Sequence, residues 1–343
     1  MPLNRAATDL EQKSCAGSEV RPLLQIDCYG YPFLRELTVE TSTATLQLTF
    51  DPQLKHGRTF HCGLFVDRHT MSSDVSRYPR ERRIGALMES PINPVFQDLD
   101  RLVRTFPLIF THWEDLTRTG LPFAPLIYGT NWISIRTPED AARLTESPIR
   151  KTGLVSFIGS IQHPDIAAYR LRREVSQFLL TRTDVECFGK GIREVSSKRD
   201  AIAPFLFSVA MENVAADLYF TEKLVDCILL ETVPIYYGCQ GIDGLLDPRG
   251  FLRFQTLSEL EGLLPRLTVE LYQAMRPALL RNRNTLILRR WYSTRSLMER
   301  VADDLCERIP VGLFVQKSFS YRTRQLHPWV HAAWRKARRL FSR

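Results

Sequence analysis

YFTEKLVDCILLETVPIYYG, residues 219–238, is the stretch that decides how the chain reads. TEKLVDCILLE has helical periodicity, and VPIYYG reads as a short buried strand closed by glycine. Thr221 is a good N-cap residue, and Glu222 in the first turn suits the positive end of the helix dipole. Lys223 does not, because that end already carries partial positive charge. An anion bound at the helix start would remove the conflict. A lysine that extends its amine into solvent would remove it equally well.

Working outward, FSVAMEN (Phe207–Asn213) is an apolar strand that ends on Glu212 and Asn213, six residues before Tyr219. In open α/β sheets ligands bind beyond the carboxyl ends of strands, so Asn213, Tyr219, Glu222 and Lys223 are expected around one crevice. Asn213 as an ordinary turn residue is the alternative. GLVSFIGS, VECFGKG and the helix DIAAYRLRREVSQFLL precede this stretch, and the helices LSELEGLLPRL and 269–292 follow it. Upstream, strands are expected at 23–28, 44–50, 61–66 and 82–90, with a helix at 93–106 capped by Asn93 with Pro94 at its first position. The polar, proline-bearing segment 135–152 separates the two alternations. The pattern predicts two α/β domains with mainly parallel sheets and a cleft between them.

Composition agrees with a globular, two-domain chain: 343 residues, 44% apolar, 24% charged, net charge +8. No apolar run is long enough to span a membrane, and the polar N-terminus has no signal-like apolar core. The seven cysteines are scattered without CxxC spacing, which argues against a disulfide framework or a zinc site. Asp98-Leu99-Asp100 spells D-x-D but lies on an amphipathic helix and reads as a solvated face. His112 is read as a structural histidine at a strand end rather than a base. Tyr236 and Tyr237 are read as packing residues, and FGKG (188–191) as a turn that approaches a nucleotide or only closes a loop.

MEN…YFTEKL…TVPIYYG…IDGLLDPRGFL closely resembles the signature of family 10 glycosyltransferases, the alpha-1,3/1,4-fucosyltransferases. LMESPINP (87–94) resembles the family's E-S-P stretch, and the resemblance covers roughly residues 82–255. It implies the α/β fold called GT-B, two Rossmann-like domains facing across a cleft. The expected organisation is a flexible lead-in at 1–20, an acceptor-side domain at 21–140, a donor-binding domain at 141–310 and a C-terminal segment at 311–343. The implied reaction moves fucose from GDP-fucose to a glycan hydroxyl with inversion, of alpha-1,3 type, with no cofactor and no essential divalent metal. Glu89 falls at the position of the family's base. Arg172 (with Arg170 as substitute) and Lys223 fall where cations would steady the leaving diphosphate, a role to which guanidinium geometry is suited. Asn213, Tyr219 and Glu222 are expected along the donor wall, with Glu212 beside them. For Glu89 the competing reading is a loop carboxylate capping the helix near Asn93, and for the arginines a solvated helix face.

HPWVHAAWRKARRLFSR (327–343) reads as a basic amphipathic helix with aromatic anchors. Such a helix suits peripheral contact with an anionic membrane, at the cytoplasmic face. A solvated tail and a helix packed on the body are the alternatives. Two other functions stay open: a GT-B transferase using another GDP-hexose, and a non-catalytic scaffold with a basic membrane- or nucleic-acid-binding surface. The second is disfavoured because no nucleic-acid motif is present.

Overall fold

In a computed structural model of the chain, the residues described are 21–30, 34–52, 59–146, 149–159, 169–308 and 319–320. The lead-in at 1–20 and the basic amphipathic helix expected at 327–343 lie outside them. So does the start of the helix expected from Asp165.

The first domain carries β1 (Leu23–Tyr29), β2 (Glu36–Glu40), β3 (Thr45–Phe50), β4 (Thr59–Phe60), β5 (Cys62–Val66), β6 (Arg83–Leu87), β7 (Leu108–Thr111) and β8 (Phe123–Pro125). Its described sheet runs β2-β3-β1-β5-β6-β7-β8. Every pairing is parallel except β2 with β3, which forms an antiparallel edge. β5 and β6 are buried almost throughout, as expected for parallel strands covered on both faces. The helix expected at 93–106 is two elements. Asn93 caps a 3₁₀ turn at Pro94–Gln97, and Asp98 then caps α1 (Leu99–Thr105) by accepting from the Arg101 N–H. Short α2 (Glu114–Arg118) follows β7.

The second domain holds α3 (Pro138–Glu146), β9 (Gly153–Ile158), α4 (Arg170–Leu180), β10 (Glu186–Phe188), α5 (Lys198–Ile202), β11 (Phe205–Met211), α6 (Glu222–Leu229), β12 (Val233–Tyr237), β13 (Leu252–Arg253), α7 (Leu257–Leu263) and α8 (Val269–Leu288). Its described sheet is all parallel in the order β10-β9-β11-β12-β13. The chain starts at β9, moves outward to β10 and returns across to β11. Strand order therefore reverses between β9 and β11, and ligands of doubly wound folds lie at such a point.

The domain limits differ from those read in the sequence. Ile133, Ile135 and the α3 residues Ala141 and Leu144 pack in one core with β9, β11 and α6, so the second domain begins before residue 141. The segment 135–152 is thus not only a connection. α9 (Thr294–Arg308) crosses back: Leu297, Met298, Val301, Ala302 and Leu305 join one core with side chains of the first domain's sheet, β1, β2, β3 and β5 among them. The two crossings lie side by side. The Asn131 amide nitrogen donates to the carbonyls of Ile135 (2.6 Å) and Tyr292, and Ser293 Oγ donates to Arg136 O (3.3 Å). At Gly129 (φ 41°) a Cβ would stand 2.7 Å from Trp291 O, so only glycine fits where the crossings touch. β14 (Phe319–Ser320) pairs with β4, returning the chain to the first domain once more.

The described cysteines are all free. No described helix is long and apolar enough to cross a membrane.

Candidate active site

A cavity of about 390 Å³ opens at the carboxyl ends of β9 and β11. Ile158 and Gly159 form one wall, the end of β11 through Met211 and Asn213 another, and the first turns of α6 a third. Gly189 closes the side beyond β10. Its φ is 125°, and a Cβ there would lie 1.7 Å from Gly159 O, so the two turns cross only because residue 189 is glycine. Lys190 of the same turn lines the cavity.

The start of α6 is built on a buried carboxylate. Glu212 is fully buried; its Oε1 accepts from the Thr221 N–H and its Oε2 from the Thr221 hydroxyl, both at 2.8 Å. The Thr221 hydroxyl oxygen in turn accepts from the Lys223 N–H (3.4 Å), which is the expected N-cap, and from Lys223 Nζ (3.1 Å). Lys223 Nζ also lies 3.2 Å from Glu222 and 3.5 Å from Glu212. Burial alone would lower its pKa, but Glu212 and Glu222 outweigh that and hold the ammonium above its ordinary value. The lysine that fits the helix dipole poorly is therefore kept charged by two carboxylates at the cavity wall.

Glu222 is 5% exposed and bonded to two cations, Lys223 and Lys198 (3.1 Å). Burial pushes its carboxyl up, yet Lys223 and Lys198 prevail and bring it down to about 2. Lys198, from the first turn of α5, also sits 4.1 Å over the indole of Trp132, an exposed residue of the first crossing. One turn along α6, Asp226 accepts from the Trp132 N–H (2.9 Å), while its second oxygen is buried and finds no partner among the described residues. Burial lifts that carboxyl to about 7.

Of the two candidate arginines, Arg172 lines the cavity and Arg170 does not. Arg172 donates to Met211 O (2.7 Å) and to Asn213 Oδ1 (3.1 Å), and its buried Nε–H has no partner among the described residues. Desolvation lowers its pKa, offset in part by Glu212 and Glu222. Arg170 leans along the helix surface toward Glu174, 3.9 Å away, with a side chain that is 79% exposed. Arg172, Asn213, Glu222 and Lys223 thus line one cavity.

Tyr219 does not line that cavity. It is buried against the first domain, its ring centroid 4.7 Å from that of His112. His112 Nε2 donates to Glu89 O (2.8 Å), and burial lowers the imidazole pKa to about 4, which keeps it neutral with the proton on Nε2. Glu89 itself follows β6 with its side chain exposed. It does not serve as the cap near Asn93, where the Asn93 side chain itself accepts from Val95 N. Burial raises the Tyr219 hydroxyl pKa, with the charges of Glu212 and Glu89 adding to it, so Glu89 stands on the Tyr219 side of the first domain.

Tyr236 is buried at the sheet and Tyr237 packs on Phe254, in keeping with packing roles. Among the described residues, no group of three or more His, Cys, Asp or Glu is placed to hold a metal ion. Lys198, Trp132 and Asp226 are not singled out by the sequence. Asp226 lies one turn along α6 from Glu222, whereas Lys198 and Trp132 come from elements far from α6 along the chain.

Residues 150–274, which contain nearly the whole cavity, match the sequence model of glycosyltransferase family 10 (fucosyltransferase) C-term. The chain is similar to the alpha-(1,3)-fucosyltransferase FucT of Helicobacter pylori, 26% identical over 112 residues, or 31% of this chain and 22% of that protein. It is similar to an alpha-(1,4)-fucosyltransferase of Arabidopsis thaliana, 31% identical over 70 residues, or 20% of this chain and 18% of that protein. The matched stretches span about a fifth of each of these relatives. A crystal structure of an alpha1,3-fucosyltransferase with GDP superposes with a TM-score of 0.52 at 15% identity, over 91% of this chain and 95% of that one. That likeness shows the fold, two Rossmann-like domains in the GT-B arrangement. Over residues 150–274 the chain is thus similar to the C-terminal domain of the family 10 glycosyltransferases.

Proposed function

We propose that the protein is an inverting fucosyltransferase that moves fucose from GDP-fucose to a hydroxyl of a glycan acceptor in an alpha-1,3 linkage. The observation that carries this reading is the placement of Lys223 and Arg172 at a strand-end cavity within the segment that matches the fucosyltransferase family. A protein of the same fold has been crystallised with GDP, which agrees with a guanine nucleotide as ligand.

In this reading the diphosphate lies at the start of α6. Lys223 and the Arg172 guanidinium, whose Nε–H has no partner among the described residues, face the charge that builds on the leaving phosphate. Fixed cations there need no reorganisation as the sugar–phosphate bond breaks. The acceptor oxygen attacks the anomeric carbon from the opposite face, its proton passes to Glu89, and GDP departs. Glu222 and Asn213 hold the donor's sugar and ribose, and no divalent cation is required. The C-terminal basic segment brings the enzyme to an anionic membrane surface.

The test is incubation with GDP-fucose and an array of glycan acceptors, following GDP release and the anomeric configuration of the product. Transfer with inversion is expected, with kcat reduced by roughly 10²–10⁴ in folded Glu89→Gln. Retained configuration, or an unchanged kcat in that variant, would overturn the assignment of Glu89.

A further inference from the structure

The N–H and the C=O of Glu89 are each held by a side chain from another element. Asp67, immediately after β5, accepts two main-chain N–H groups on one carboxylate oxygen: Met88 N at 2.7 Å and Glu89 N at 2.9 Å. Its backbone is left-handed (φ 47°), a conformation that Asp tolerates better than most residues. From the other side, His112 donates to the carbonyl of Glu89. The same imidazole is wedged between Phe96 of the first domain and Tyr219 of the second, with ring centroids 6.3 Å and 4.7 Å away. The peptide that carries Glu89 is therefore pinned at its N–H and its C=O, and one of the pins bears on the donor domain. Strand ends left to themselves are loops, and an exposed carboxylate on a loop wanders. A base must reach its proton within hydrogen-bond distance in the reactive complex.

We infer that Asp67 and His112 are positioning residues: Asp67 fixes the peptide that presents Glu89, and His112 ties that peptide to Tyr219 on the donor side of the cleft. The inference rests on Glu89 as the base. Both act on the backbone of residues 88–89, Asp67 at the N–H groups and His112 at the Glu89 carbonyl.

A double-mutant cycle tests this. Asp67→Ala, in protein whose thermal unfolding and GDP affinity stay near wild type, is expected to lower kcat for transfer about 10- to 100-fold while KM for GDP-fucose stays within about twofold. Asp67→Asn keeps the oxygen that accepts both N–H groups and is expected to restore most of kcat. In a Glu89→Gln background, Asp67→Ala is expected to cost little more, because the group it positions is already disabled. Should Asp67→Ala fail to fold, His112→Gln carries the same cycle. Gln is expected to keep a donor near the Glu89 carbonyl but to lose the tilted ring contact with Tyr219. A full, multiplicative loss in the Glu89→Gln background would overturn the inference, as would an unchanged kcat in folded Asp67→Ala. Failure of Glu89→Gln itself to lower kcat would instead overturn the base assignment.

Discussion

Neutralising Glu222 should change how the protein responds to acid. Its carboxyl is nearly inaccessible and bonded to Lys198 and Lys223, and despite its burial it is held near 2 instead of its ordinary 4.5. A lowered carboxylate stabilises the fold above its unfolded value, and that stabilisation is lost as pH falls toward the folded value. The full difference amounts to about 3 kcal/mol. Linkage places about 1.5 kcal/mol of the loss between pH 4.5 and pH 3, since the unfolded chain takes up the proton there and the folded one does not. Glu222→Gln cannot titrate. The assay is urea unfolding of wild type and Glu222→Gln at half-unit steps over that interval, read by tryptophan fluorescence. The stability of the wild type relative to the variant is expected to fall by about 1.5 kcal/mol. Lys198→Met, which removes one of the two cations, is expected to shrink that fall. A difference between wild type and Glu222→Gln that stays constant from pH 4.5 to pH 3 would refute the ion-pair account.

Other substitutions probe the same framework. Burial lifts the Asp226 carboxyl to about 7, so ionising it costs stability as pH rises from its unfolded value through 7. Asp226→Asn should therefore raise the melting temperature at pH 8 and have little effect at pH 4; equal shifts at both would refute this. Lys151 Nζ donates to Ala203 O, Leu230 O and Thr232 Oγ1, so Lys151→Ala should cost about 2–3 kcal/mol in urea unfolding. A change under about 0.5 kcal/mol would mean that solvent replaces these bonds. Glu231 pairs with Arg276 and with the buried Arg283, and Glu231→Ala should cost about 3–5 kcal/mol by leaving Arg283 uncompensated. Gly189→Ala cannot keep the crossing with Gly159 and should abolish nucleotide binding while the unfolding transition remains cooperative; binding at wild-type strength would refute the tight turn.

The strands were legible because parallel strands buried on both faces are nearly continuous apolar runs, as in FLFSVAM and CGLFV. β2 (ELTVE) escaped notice although its exposed–buried alternation is that of an edge strand, being short and bounded by polar residues. α3 was read as linker because only Ala141 and Leu144 mark its buried face among polar residues. The amphipathic pattern of α9 is visible in the sequence, but nothing local says that its apolar face returns to the first domain. The site divides the same way. Asn213, Glu222 and Lys223 lie within eleven residues, so strand and helix periodicity alone could bring them together. Trp132, Lys198 and Asp67 reach the site from separate crossovers, and no single-sequence spacing encodes those contacts. Tyr219, six residues past Asn213 at the strand end, is expected at the crevice on spacing, but its ring packs instead against His112 of the first domain.

The central claim is that the start of α6 holds the diphosphate of a guanine nucleotide sugar. Calorimetric titration of the wild type and Lys223→Ala with GDP, GDP-fucose, GDP-mannose and UDP tests it most directly. The account predicts binding of the guanine diphosphates, tightest for GDP-fucose and negligible for UDP. It also predicts at least about a tenfold loss in the variant, the worth of one charge-assisted contact. Well-folded protein that binds no guanine nucleotide, or that binds UDP alone, would contradict it.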